Sequence, residues 1–133
     1  MHTKILLAAF VLATVTSAHG EEARLDVPIM IAGEIGKDAC SAQGRVTALA
    51  DQPDGVIPVR SGPGENEPFR EIDRLRNAQP VLVCEHLGGW LGIVYGSDLL
   101  GCRTTAVLPV SREYTGPCQG GWVLSHFISA EGP

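Results

Sequence analysis

The residue types in this chain that most readily do chemistry are its cysteines, histidines and serines. Cys84 and His86 lie close together in the segment "CEH", and both are ligand types that zinc prefers. No C-x-x-C pair accompanies this fragment, so a complete zinc site is not predicted. Ser125 and His126 are the types of a nucleophile and its base, but neighbouring residues of a strand point to opposite faces. We therefore predict no catalytic residue, no metal or other cofactor, and no enzymatic activity.

The four cysteines have a different use that fits their number. An even cysteine count in a small exported domain is typical of disulfides, and four cysteines allow three connectivities. We favour Cys102–Cys118, which closes a short loop rich in proline and glycine. The second pair is then Cys40–Cys84, which ties the N-terminal segment to the rest of the domain. Zinc ligation is the competing interpretation, and an oxidising compartment disfavours it.

The first twenty residues predict a cleaved secretory signal. Lys4 supplies a positive charge, the apolar run "ILLAAFVLATV" follows, and small residues ending at Ala18 or Gly20 suit a signal peptidase. The run is too short to anchor the chain across a bilayer. Removing this segment leaves nine basic against fifteen acidic side chains, a net charge near −6. This balance disfavours nucleic acid and anionic membrane surfaces as partners, and we expect a periplasmic or secreted protein without stable membrane insertion.

The rest of the chain consists of short apolar runs separated by turn residues, which is the pattern of an all-β domain. The predicted strands are residues 44–50, 55–60, 80–86, 90–96 and 121–128. The pair Gly88-Gly89 suits a tight hairpin between the third and fourth of them. Residues 71–77 fit either a helical turn or a strand. The residues before Cys40 predict an extended segment that could add one more strand.

Three motifs follow one another in a recognisable order. They are "VRSGPG" (residues 59–64), "GGW" (88–90) and "GWV" (121–123). Together with Phe69, Ile72, Leu75, Val81, Val83, Val94 and Phe127, this order resembles the bacterial Src-homology-3 (SH3-like) family over roughly residues 45–128. Members of that family are small five-stranded barrels of exported bacterial proteins. This chain departs from the family by a long insert, residues 96–120, and by Arg76-Asn77 where the family usually has glycine.

The resemblance implies an SH3-like barrel of five strands over residues 44–130, after a signal (1–20) and an extended lead-in (21–43). Residues 61–70 would form the long first loop, and aromatic side chains beside it can form a shallow groove for extended peptides. The candidate ligand-binding residues are Glu65, Glu67, Phe69, Trp90 and Phe127. Packing is the alternative role for Phe69 and Trp90, and it is the favoured role for Trp122.

Two classes of function remain open at this point. The resemblance implies a noncatalytic binding module that recognises a peptidoglycan peptide or an envelope protein. The alternative is a secreted or periplasmic interaction protein, such as an inhibitor or a virulence-associated factor, that uses the barrel as a scaffold. Retention of the protein on purified sacculi distinguishes the two classes.

Overall fold

The computed structural model of the protein describes residues 9, 11–13, 25–32, 40, 42–47, 52–104 and 110–130. In this part of the chain the regular structure consists of nine strands and two short 3₁₀ turns. The strands are β1 (Met30–Ile31), β2 (Ala42–Val46), β3 (Val56–Arg60), β4 (Glu71–Arg76), β5 (Pro80–Leu87), β6 (Trp90–Tyr95), β7 (Arg112–Glu113), β8 (Gln119–Leu124) and β9 (Ile128–Ala130). The turns are Leu100–Cys102 and Ser125–Phe127. The prediction of a mostly β protein is confirmed.

Seven of these strands form one antiparallel sheet in the order β4-β3-β8-β6-β5-β2-β9, and β1 pairs with β7 in a separate small sheet. Because β4 and β9 are the two ends of the large sheet, the sheet is not closed. The prediction of a five-stranded barrel is therefore wrong in strand number and in closure. The 3₁₀ turn Ser125–Phe127 divides the last predicted strand into β8 and β9, and residues 71–76 form the additional strand β4.

The register of the hairpin between β3 and β4 explains why residues 71–76 are extended. Ile57 lies opposite Leu75, and both side chains are buried. Side chains alternate between the two faces of a strand, so Arg74 and Arg76 on either side of Leu75 remain exposed. A six-residue segment is too short to be a stable helix without such partners. Pairing with β3 therefore decides the conformation.

The turn between β5 and β6 confirms the predicted tight hairpin. Leu87 lies opposite Trp90, which leaves only Gly88 and Gly89 to reverse the chain. Gly88 has a φ of 61°, in the left-handed region that favours glycine. The amide of Ser125 donates to the carbonyl of Gly89 at 2.8 Å. This bond connects the hairpin to the 3₁₀ turn after β8.

The main hydrophobic core lies on one face of the large sheet, which we call the inner face. Strand β6 contributes Leu91, Ile93 and Tyr95, which are alternate positions and therefore share this face. The other members of the inner core are Val46, Ile57, Val59, Leu75, Val81, Val123 and Phe127. They come from most strands of the sheet, so the inner core depends on the complete topology.

The outer face of the central strands carries a second cluster, the outer cluster, which is covered by residues 25–32. Its buried members are Ile29, Ile31, Cys40, Leu82, Val94, Cys102 and Trp122. Trp122 is 1% exposed, which confirms the interpretation of this residue as a packing residue. Its indole Nε1 donates to the carbonyl of Val27 at 2.9 Å. The described part of the predicted lead-in is thus packed against the sheet.

Two glycines on the outer face make room for Ile29. A Cβ atom on Gly92 would lie 3.1 Å from Ile29 Cδ1, and one on Gly120 would lie 3.2 Å from Ile29 Cγ1. Such distances are shorter than ordinary van der Waals contact, so a larger residue would displace the isoleucine. The amide of Tyr114 donates to the carbonyl of Ile29 at 2.7 Å from the other side. Ile29 is therefore enclosed between the sheet and the insert.

Both predicted disulfides are present, and none of the four cysteines is free. Cys40–Cys84 connects the residues before β2 to β5, over a sequence separation of 44. Cys102–Cys118 connects the 3₁₀ turn after β6 to the residues before β8, over a separation of 16. Two disulfides indicate an oxidising, extracytoplasmic environment.

Several predicted segments lie wholly or partly outside the described residues. The predicted signal, residues 1–20, is described only at positions 9 and 11–13. Residues 33–39 of the lead-in, 48–50 of the first predicted strand and 105–109 of the insert also lie outside them. Among the residues that are described, no helix is long and apolar enough to cross a membrane.

Candidate functional site

Arg60 fixes the shape of the loop between β3 and β4. Its guanidinium donates to the carbonyl oxygens of Gly64, Glu65 and Phe69, at 3.2, 2.8 and 2.8 Å. Arginine suits this task because its planar group presents several donors at fixed angles. The ring of Phe69 occupies the space that a Cβ atom on Gly62 or Gly64 would need. The arginine and glycines of "VRSGPG" thus hold the loop in one shape.

The base of this loop is joined to the N-terminal segment through Ser61, which is fully buried. The Ser61 hydroxyl donates to Asp26 Oδ2 at 2.5 Å and accepts from the amide of Arg70 at 2.9 Å. The amides of Asp26 and Val27 donate to the Ser61 carbonyl at 2.9 and 3.1 Å. Residues 26 and 27 therefore help to position the loop that the sequence motif predicts.

The structure does not bring the predicted ligand-binding residues to one surface. Glu65 and Glu67 are exposed on the loop, and Phe69 is half-buried against it. Phe127 is 4% exposed and lies in the inner core, so its assignment to a surface groove is corrected. Trp90 is half-buried and packs against the outer cluster, on the opposite face of the sheet. A groove shared by Trp90 and Phe127 is therefore not formed.

A groove of about 530 Å³ runs along the edge of β4. Three successive residues of that strand, Asp73, Arg74 and Leu75, line it. Because successive strand residues point to opposite faces, a groove that touches all three lies along the strand edge. Within the described residues this edge pairs with no other strand. Further lining residues are Gln79, Tyr95, Asp98, Pro117 and Gln119, and we call the site the edge groove.

The carboxylate of Asp73 is the polar centre of the edge groove. Its Oδ2 accepts a hydrogen bond from the Tyr95 hydroxyl at 2.9 Å, and its Oδ1 accepts from the Arg74 amide at 2.8 Å. The hydrogen bond to Oδ1 satisfies the amide of Arg74, and this amide does not take part in the pairing of β4 with β3. Burial of Tyr95, followed by its hydrogen bond to Asp73 and the charge of that residue, raises the pKa of the phenol. The hydroxyl therefore stays protonated and keeps donating to Asp73 at neutral pH.

The other charges of the edge groove leave it with a negative character. Asp98 adds a second carboxylate, whose Oδ1 accepts from the amide of Leu100 at 3.1 Å. Among the described residues that line the groove, Arg74 is the only cation, and its Nε lies 2.6 Å from Glu71 Oε1. The hydrogen bond and the charge of Glu71 raise the pKa of this guanidinium. The groove thus suits a ligand with hydrogen-bond donors and a positive charge.

The cysteine, serine and histidine residues that could support catalysis or bind a metal have other roles in the structure. Cys84 is bonded to Cys40 and has no thiolate to offer a metal. In the described ranges of the chain, no group of three or more His, Cys, Asp or Glu side chains could hold a metal ion. Ser125 and His126 lie in a 3₁₀ turn, so strand alternation is the wrong reason for separating them. The His126 ring instead packs against Phe127, with ring centroids 4.2 Å apart.

Comparison with known proteins adds no further information about this site. No protein-family model, curated protein or solved structure matches the chain. The function must therefore be argued from the motifs and the geometry of the chain itself.

Sequence reasoning missed the edge groove. Neither Asp73 nor Tyr95 is among the candidate residues of the sequence analysis. One signal was available, because Tyr95 ends an apolar strand and a buried phenol needs a hydrogen-bond partner. The identity of that partner, 22 positions earlier in the chain, depends on the order of strands in the sheet.

Proposed function

We propose that this chain is a noncatalytic, SH3-like binding domain that holds an extended peptide of the cell envelope in the edge groove. The observation that carries the proposal is the groove of about 530 Å³ beside the edge of β4 that pairs with no strand in the described part of the chain. An exposed strand edge can accept a peptide as an added strand, while pockets beside the edge select its side chains. Cavities of this size are typical of sites for small ligands and short peptide segments.

The contacts of Asp73 suggest how a peptide would replace an internal bond. A carbonyl oxygen of the peptide takes the place of Asp73 Oδ1 at the Arg74 amide, which now donates over 2.8 Å to that carboxylate. The released oxygen then accepts a donor from the peptide, while Tyr95 continues to hold the other oxygen. One internal hydrogen bond is replaced by two hydrogen bonds to the peptide, so the edge can be used without leaving a polar group unsatisfied.

The charges of the groove favour a peptide that carries an amine or a guanidinium. Asp73 and Asp98 are carboxylates, and Arg74, the one cation among the described lining residues, already contacts Glu71. The chain also carries a formal net charge of −5 at neutral pH, which attracts cationic partners over a longer range. The attraction is expected to weaken with added salt, because exposed charges are screened over about 10 Å at 0.1 M ionic strength.

The positions of the motifs support the SH3-like part of the proposal. "VRSGPG" ends β3 and opens a long loop, "GGW" forms the hairpin between β5 and β6, and "GWV" lies in the central strand β8. The apolar N-terminal run and the two disulfides support export to the periplasm or beyond the cell.

Cosedimentation with purified peptidoglycan sacculi tests the proposal. The oxidised protein is compared with Asp98→Asn in the edge groove, Glu65→Gln on the loop, and Glu113→Gln as a matched control on exposed β7. We expect retention of the wild type and of Glu113→Gln, and weaker retention of Asp98→Asn. Fluorescence anisotropy with a glycine pentapeptide carrying one lysine, and with the same peptide carrying one glutamate, should show binding of the lysine peptide only.

The outcomes of these experiments test the envelope-binding function and the location of the binding site separately. If no variant is retained on sacculi and neither peptide binds, the proposed envelope-binding function is wrong. If Glu65→Gln alone abolishes retention, the function stands and the site is the loop predicted from the sequence. Preferential binding of the glutamate peptide would contradict the charge argument for the edge groove.

A further inference from the structure

A second cavity, of about 430 Å³, borders the same proline as the edge groove but has the opposite charge. It is lined by Ile31, Arg103, Arg112, Tyr114, Thr115, Gly116 and Pro117, and we call it the arginine pocket. No acidic residue is among these lining residues. Two arginines therefore line one cavity in a chain whose acidic residues outnumber its basic ones by fifteen to ten.

Strand alternation places Arg112 in the pocket and directs Glu113 away from it. Arg112 and Tyr114 both line the cavity, and the residue between them does not. Glu113 instead lies opposite Met30 in the pairing of β7 with β1. Successive side chains of an extended segment point to opposite sides, so the carboxylate nearest in sequence is kept away from the Arg112 guanidinium.

Arg103 reaches the pocket from a backbone conformation that arginine rarely adopts. Its φ is 59° and its ψ is 43°, which is the left-handed region where glycine or asparagine is usual. Arg103 directly follows the 3₁₀ turn Leu100–Cys102, and a left-handed residue commonly ends such a turn. Among the described residues, neither Arg103 nor Arg112 forms an ion pair. An anion that contacts both guanidinium groups would give each of them a charged hydrogen-bond partner.

The other walls of the pocket are fixed by bonds inside the chain. The Tyr114 hydroxyl donates to the carbonyl of Cys102 at 2.7 Å and accepts from the amide of Cys118 at 3.1 Å. The disulfide between these two cysteines joins the residue before Arg103 to the residue after Pro117. The disulfide therefore holds two lining residues, Arg103 and Pro117, in neighbouring parts of the fold. Thr115, whose side chain carries a neutral hydrogen-bond donor, also lines the pocket.

We propose that the arginine pocket binds an oxyanion, namely a carboxylate or phosphate group. Guanidinium groups bind both anions through paired, charge-assisted hydrogen bonds, and the apolar walls of Ile31 and Pro117 accept the carbon portion of a ligand. This site goes beyond the proposed function, which concerns a positively charged peptide in the edge groove.

A titration of the oxidised protein with sodium succinate and with inorganic phosphate tests the proposal, at constant ionic strength made up with chloride. Binding is followed by the backbone amide resonances of Arg103, Thr115 and Gly116. We expect saturable shifts with one or both anions, and about a tenfold loss of affinity in Arg112→Gln, as expected for one charge-assisted hydrogen bond. Arg76→Gln, an exposed arginine on β4, is the control and should bind as the wild type does.

The variant Arg103→Gly separates a binding role from a structural one. Glycine adopts a φ of 59° without strain, so this variant should melt at the wild-type temperature or above it and still lose affinity for the anion. If neither anion produces a saturable shift, the proposal is wrong. It is equally contradicted if Arg76→Gln weakens binding as much as Arg112→Gln, because the effect is then one of net charge. Binding of phosphate alone, or of succinate alone, identifies the class of oxyanion.

Discussion

Replacing Ile29 by alanine tests whether the N-terminal segment is a structural part of the domain. The side chain is 1% exposed and lies over two glycines of the sheet, Gly92 and Gly120. The substitution removes three carbon atoms from a site whose floor is formed by strand backbone. Because backbone in the middle of a sheet cannot collapse into the space, the cavity should remain.

The expected loss can be worked out from this geometry. Three buried carbon groups at about 0.8 kcal/mol each give a transfer contribution of roughly 2.5 kcal/mol. An unfilled cavity adds to this value, so we expect Ile29→Ala to lower the free energy of unfolding by about 3–5 kcal/mol. For a domain of this size the melting temperature should fall by roughly 4 °C for each kcal/mol, or about 12–20 °C in total.

Thermal and urea unfolding of the oxidised protein, followed by circular dichroism, measure this loss. Met30→Ala is the matched control, because the neighbouring side chain is 37% exposed and should cost less than about 1 kcal/mol. If Ile29→Ala and Met30→Ala unfold at the same temperature, the outer cluster does not contribute to stability and our account of residues 25–32 is wrong.

A double-mutant cycle with Gly120→Ala checks the contact itself. The added Cβ atom would lie 3.2 Å from Ile29 Cγ1, so Gly120→Ala should destabilise the wild type. In the Ile29→Ala background that carbon is absent, and the same change should cost less. We expect a coupling free energy of about 1 kcal/mol or more, and strict additivity would contradict the proposed contact.

Three other predictions follow from single features of the structure. Ala78 has a φ of 68°, so Ala78→Gly should raise the free energy of unfolding by roughly 0.5–1 kcal/mol in urea, and a decrease would show that the strain is absent. Tyr95→Phe should cost about 1–3 kcal/mol at pH 7 by removing the bond to Asp73. Because the folded pKa of Tyr95 is raised, its contribution to stability should be constant below about pH 10 and be lost above it. The Phe variant should therefore show a smaller fall in urea unfolding between about pH 7 and 11, since the raised pKa of Tyr114 remains. Loop entropy predicts a loss of about 4 kcal/mol without Cys40–Cys84 and about 3 kcal/mol without Cys102–Cys118, and the reverse order in paired Cys→Ser variants would contradict it.

Local patterns in the sequence predicted the elements whose conformation depends on neighbouring residues. The apolar runs became β3, β5, β6 and β8, and Gly88 adopts the left-handed φ that its hairpin needs. The even cysteine count in a chain with an apolar N-terminal run indicated disulfides, and loop length favoured the pairing that the structure has. For the strands, the hairpin and Cys102–Cys118 the determining interaction lies within a strand period, a turn or one short loop, and Cys40–Cys84 is the pair that then remains.

Tertiary structure decided the features that depend on distant partners. Residues 71–76 are ambiguous alone and become a strand because β3 pairs with them. Phe127 matches the motif of a groove residue, yet the fold encloses it, since the chain turns at residues 125–127 before β9. Strand β1 pairs with β7, which begins 82 positions later in the sequence. This pairing depends on the outer face of the large sheet, which its own strands do not cover.

For the two candidate sites as well, the sequence determined some properties and the tertiary structure determined others. Sequence alone determined that the chain is acidic, mostly β and stapled by two disulfides, because composition, side-chain period and cysteine number carry that information. It did not show that Asp73 meets Tyr95, or that Arg103 and Arg112 share one cavity. In both cases the residues that come together belong to separate strands and turns. Their charges could be read from the sequence, but their distances are set only when the sheet and the disulfide-closed insert fold together.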